Sequence, residues 1–104
     1  MRKPVKAKVG PWVFRIDWAN DDLLDAHGGD GLCEATKLVI TVRSTLVEGV
    51  QRTILMHELL HACVAFGDET VIKDEESAVD RIAVPLVAML HDNPPLAAWL
   101  MRTD

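Results

Sequence analysis

Tyrosine is absent from this 104-residue chain, and other aromatic side chains are few, three tryptophans and two phenylalanines. Chemistry that relies on a phenolic hydroxyl to steady an oxyanion or to pass on a proton is therefore excluded. Cysteine is almost absent too. Cys33 and Cys63 cannot form a disulfide framework, which points to a reducing compartment and a cytoplasmic protein. No apolar run approaches the roughly 20 residues that span a bilayer, and the start Met1-Arg2-Lys3-Pro4-Val5-Lys6-Ala7-Lys8 has charge without an apolar segment behind it. No membrane partner is expected. An excess of positive charge is also missing. Eleven basic against 16 acidic residues leave a net charge of -5, which argues against nucleic acid as the main partner.

What the chain has is apolar content of 49% with 26% charged residues, a globular composition, in a length suited to one domain over residues 1–104. Residues 1–8 read as a flexible basic arm. After Gly10-Pro11, the segment Trp12 to Trp18 alternates, with Trp12, Phe14, Ile16 and Trp18 on one side, as a strand with one buried face does. Asn20 to Gly31, ending in His27-Gly28-Gly29-Asp30-Gly31, reads as a loop. Leu32 to Thr36 offers a short strand, and Lys37 to Arg43 a clearer one, with Leu38, Ile40 and Val42 sharing a face. Thr45 with Glu48 three places on forms a capping box that would open a helix, and Gly67 would close it. Asp74 would cap a second helix that Pro85 should kink or split, and Asn93 a third. The expected fold is α+β: a small antiparallel or mixed sheet of about three strands, packed on the first helix and closed by two or three C-terminal helices.

The first helix carries His57-Glu58-Leu59-Leu60-His61. Residues four apart lie on one helical face, so His57 and His61 can aim imidazole nitrogens at one point. Two imidazoles suit Zn²⁺, and Glu58 projects beside such an ion, where it can take a proton from a water. This is the pattern of a zinc hydrolase that cleaves peptide bonds with Glu58 as general base. A catalytic zinc needs a third protein ligand, for which Glu75 and Glu76 stand at the start of the next helix. Glu76 is the choice, because Asp80 lies four residues on and can orient a zinc-bound histidine as a second-shell carboxylate. Asp17, Asp30, His27 and His91 are rival third ligands, and His27, His91 or Arg81 could serve as oxyanion donor. Cys63 falls off the His57/His61 face and reads as a buried apolar residue.

Thr53 to Ala62 together with Glu76 to Ala83 resembles the ImmA/IrrE-like zinc metallopeptidases, especially the short versions encoded by phages and prophages. The resemblance implies zinc held by His57, His61 and Glu76, Glu58 as base, and Asp80 at the family's Asn/Asp position. It also implies a single protein substrate such as a transcriptional repressor. It covers about half the chain, and larger members carry regulatory or DNA-binding domains that have no counterpart in it. Two other readings compete: a zinc-containing module that sequesters a regulatory protein without cutting it, and a metal-free protein in which the motif is accidental. Oligomeric state is not legible from the sequence.

Overall fold

The structure is a computed structural model that describes residues 2–20, 22–65 and 75–102, with backbone alone for 75–80. Strands β1 (Lys6–Val9), β2 (Trp12–Ala19), β3 (Gly31–Glu34) and β4 (Val39–Arg43) form one sheet in the order β1-β2-β4-β3. Helices α1 (Asp22–His27), α2 (Glu48–Ala65), α3 (Glu75–Asp92) and α4 (Pro94–Leu100) complete the α+β fold. Among the described residues no helix is long and apolar enough to cross a membrane.

The fourth strand corrects the reading of residues 1–8 as a flexible arm. Lys6–Val9 pairs antiparallel with β2, Lys6 opposite Arg15 and Val9 opposite Trp12. Its apolar face consists of Ala7 and Val9 alone, both buried, and the lysines between them give the segment the look of a solvated tail. Gly10 turns the hairpin at φ 59, a left-handed conformation that a glycine adopts without strain. Further back, Ile16 N–H donates to Val5 O at 2.9 Å and Trp18 Nε1–H to Pro4 O at 2.8 Å.

β2 and β4 run parallel, Ile16 opposite Ile40 and Trp18 opposite Val42, and β3 pairs antiparallel with β4 on the outer side. Parallel neighbours need a crossover, and the stretch from Asp22 to Leu38 supplies it. That stretch is more ordered than a loop: Asp22–His27 is a short helix with Leu24 buried, ended by Gly28 at φ 88. Phe14, Ile16, Ile40 and Val42 cover one face of the sheet, while Trp12 is 46% exposed at the hairpin.

α2 lays Leu55, Leu59, Ala62 and Cys63 on that face, and Met89, Leu96 and Trp99 close the core. Each such side chain removed from water stabilises the fold by about 1.5–3 kcal/mol. Arg52, nearly buried, donates from Nε to Trp99 O at 3.0 Å and from Nη2 to Glu48 at 3.2 Å, which ties α2 to α4. Glu48 is thus engaged by Arg52, and the helix opens at Glu48 itself, later than a cap at Thr45 requires. Pro85 neither breaks nor divides α3, which runs continuously through it. Gly67 and Asp74 lie outside the described residues.

Asn93, ahead of α4, does more than precede a helix. Its Oδ1 accepts from Lys8 N–H at 2.8 Å, and its Nδ2 donates to Lys8 O at 2.9 Å and to Met89 O at 2.6 Å. The carboxamide therefore satisfies the outward backbone groups of the edge strand and fastens β1 to the end of α3. Asn93→Ala should lower unfolding free energy in urea by about 1–3 kcal/mol, the summed net worth of hydrogen bonds of about 0.5–1.5 kcal/mol each. Asn93→Asp, which retains only the acceptor, should fall between that variant and the parent; three equal stabilities would show that the clamp contributes nothing.

Candidate metal centre

The packing of α2 determines where its polar side chains go. Leu55, Leu59 and Ala62, at spacings of four and three, make a stripe with no exposure at all. Half a turn away lie His57 and His61, both exposed, and Glu58 sits on the margin between stripe and solvent at 6% exposure.

The two Nε2 atoms are 3.1 Å apart, with ring centroids 4.8 Å apart and ring planes at 73°. Two donors on a tetrahedral zinc with bonds of about 2.0–2.1 Å lie about 3.3 Å from each other, so the pair already has the separation that such an ion imposes. A carboxylate oxygen of Glu58 joins them in a cluster whose donor atoms all lie within 4.8 Å of one another. Among the described residues, no hydrogen bond or ion pair engages that carboxylate. Burial pushes the Glu58 carboxyl above its ordinary value, and the nearby His57, His61 and His27 pull it back only in part. Two convergent imidazoles fit two donors of a zinc ion, and the nearly buried, unengaged carboxylate of Glu58 stands beside them where a base would.

Glycine makes the place for Glu58. A Cβ on Gly31 of β3 would come within 2.6 Å of Ile54 Cγ2 and 2.8 Å of Glu58 Oε2, so the carboxylate lies against the bare backbone of the outermost strand. Beside it opens a cleft of about 360 Å³ lined by His27, Leu32, Cys33, Glu58 and His61. On the other flank of the histidine pair is an apolar groove of about 480 Å³, lined by Met56, His57, Leu60, Leu90 and Leu100. The two imidazoles thus stand on a ridge between a polar cleft and an apolar groove.

The crossover that leads to Gly31 is clamped by Arg43 of β4. Its guanidinium reaches Asp25 at 2.9 Å, Asp30 at 3.0 Å and Gly29 O at 3.2 Å, and its backbone N–H donates to Asp30 O at 2.9 Å. His27 lies inside the segment so held.

Of the site residues expected from sequence, His57, Glu58 and His61 are brought together as the helical spacing requires. Glu75, Glu76 and Asp80 lie in the first turns of α3, and their side chains are outside the described residues. Among the rival donors, Asp17 is taken by Arg15 at 2.8 Å and Asp30 by Arg43, and His91 stands on the outer surface of α3 beside Asp92. Cys63 is buried in the core, as its position off the histidine face implies. Cys33 faces the cleft, and burial with the charges of Glu58 and Glu34 pushes its thiol up to about 11. Sequence reading passed over Gly31 and Arg43. The signal available was a glycine opening an apolar strand, a pattern that marks close backbone approach.

No protein-family model, curated protein or solved structure matches the chain.

Gly31→Ala should cost about 1–3 kcal/mol in unfolding free energy, as overpacking does, because neither Ile54 nor the Glu58 stem can retreat from a Cβ. A raised folded-state pKa means that Glu58 favours folding below its ordinary carboxylate range and opposes it once pH rises through the folded value. Chelator-treated Glu58→Gln should therefore melt above chelator-treated parent near pH 7, with the gap closing towards about pH 4. A gap that widens on acidification would contradict the burial that raises the pKa.

Proposed function

We propose that the chain is a zinc-dependent metallopeptidase that hydrolyses a peptide bond in a specific protein substrate. The observation that carries this reading is the pair of imidazole nitrogens 3.1 Å apart with the unengaged carboxylate of Glu58 beside them, at the mouth of a cleft. His57 and His61 supply two zinc donors and Glu76 the third, the last on the strength of the family resemblance. Asp80 enters through the resemblance alone. Zinc bound there would lower the pKa of a water towards about 7 and polarise a carbonyl.

The chain's own residues then account for the remainder. Glu58, its pKa raised by burial, takes the proton of the attacking water and returns it to the leaving amine. β3 is an edge strand of the sheet beside the cleft, and among the described residues no strand pairs with its outer side, where an extended peptide can add. Such pairing is indifferent to side chains. Selectivity falls to the groove and cleft on either side of the ridge, which suits an enzyme with one protein target, a transcriptional repressor or similar regulator of the cytoplasm.

One observation favours a second reading, a zinc-containing module that sequesters its partner. Val84 and Val87 of α3 are 75% and 66% exposed, an apolar patch outside both the groove and the cleft.

Purified protein should hold about one zinc per chain by metal analysis, and His57→Ala or His61→Ala should lose it. Glu58→Gln should keep the metal yet lose at least about 10²-fold in cleavage; inactivation of the partner that survives this change would favour the sequestering module. Glu76→Gln should weaken zinc binding beyond the roughly 10–100-fold typical of a second-shell partner, and Glu75→Gln should leave it unchanged. The reverse order would transfer the third donor to Glu75.

A further inference from the structure

Three features of the crossover bear on His27. It lies at the end of α1, immediately before Gly28, whose N–H donates to Leu24 O at 2.9 Å. The Gly28-Gly29 turn then brings the chain back to β3, so that His27 lines the same 360 Å³ cleft as Glu58 and His61. Finally, Arg43 holds Asp25, Gly29 and Asp30, anchoring the segment on both sides of the histidine.

His27 is nevertheless outside the cluster of donor atoms that could share one ion. It is too remote to join His57 and His61 on a metal, yet it faces the space beside them. That space is in the range of volumes, about 300–1,000 Å³, that hold small ligands. A substrate carbonyl held between ridge and crossover would lie with the histidine pair on one side and His27 on the other. An imidazole keeps at least one N–H donor in either protonation state. The lack of any tyrosine leaves this cleft without a phenolic donor.

We propose that His27 is a catalytic residue of this site: its imidazole N–H donates a hydrogen bond to the oxygen of the scissile carbonyl and holds it more tightly as negative charge develops there. The proposal rests on the metallopeptidase reading and adds the electrophilic partner that reading lacks. Charge-assisted hydrogen bonds are stronger than neutral ones, so such a donor acts chiefly on the tetrahedral anion and little on the ground state. Arg43 is a positioning residue, since its carboxylate and carbonyl contacts set where the crossover presents the ring.

The test uses the full zinc-loaded chain and a dipeptide phosphinate, an uncleavable mimic of the tetrahedral anion, with the corresponding unmodified dipeptide as ground-state probe. Binding is measured by calorimetry for the parent, His27→Ala and His27→Gln, alongside zinc content and far-ultraviolet circular dichroism. The expected result is a loss of about 10²-fold or more in phosphinate affinity for His27→Ala, partial recovery in His27→Gln, little change for the dipeptide, and zinc content equal to the parent. Equal phosphinate affinity in the parent and a folded, zinc-replete His27→Ala would overturn the proposal, as would parallel loss of both probes. Loss of zinc in His27→Ala would overturn it too, by making His27 a ligand. If the parent itself holds no zinc, the metallopeptidase reading falls and takes this role with it, an outcome distinct from the other three.

Discussion

Everything at the candidate centre follows from how one helix must lie on one sheet. α2 can shed water from Leu55, Leu59 and Ala62 only by laying that stripe on Phe14, Ile16, Ile40 and Val42. Once it does so, the 100° step between successive residues leaves no freedom for the others. His57 and His61 come to the outside, where an ion and a substrate can reach them. Glu58 falls on the seam, too deep to be fully hydrated and too shallow to be sealed. The raised carboxyl pKa is thus a by-product of core packing, with burial its largest cause.

The seam needs a second concession, which comes from β3. Gly31 withholds a side chain where one would collide with both Ile54 and Glu58, and the strand can then lie close under the carboxylate. Arg43 steadies the chain entering that strand. The face that carries the two histidines is therefore supported from two directions: helix packing sets the imidazoles, and the crossover sets the floor and far wall of the cleft.

Elements with strong period were legible in the sequence. The alternation of Trp12 to Trp18 reflects the buried Phe14 and Ile16, and β2 formed where it placed the strand; α2 formed around His57 to His61 but opens at Glu48 rather than from a cap at Thr45. β1 was hidden because its inward face is one alanine and one valine between lysines, and its order comes from pairing with β2 and from Asn93, partners that are distant in sequence. α1 was hidden by the glycines after it, which suggested a loop through the whole of Asn20 to Gly31. Pro85 was expected to interrupt α3, but one missing N–H is a local loss that packing of Met89, Leu86 and Leu90 on the core outweighs. At the centre, spacing four on a helix sufficed for His57 and His61. Gly31 carried a local signal, but His27 and its clamp by Arg43 of β4 depend on a crossover whose path no local pattern encodes.

The Asn93 carboxamide has a consequence for how copies of this chain can meet. By occupying both outward backbone groups of Lys8 it plugs one rim of the sheet, while among the described residues no strand pairs with the outer side of β3 beside Glu58. Strand-to-strand stacking between molecules is then steered to the rim that a peptide would use. A second copy stacked on that rim would cover the cleft beside Glu58.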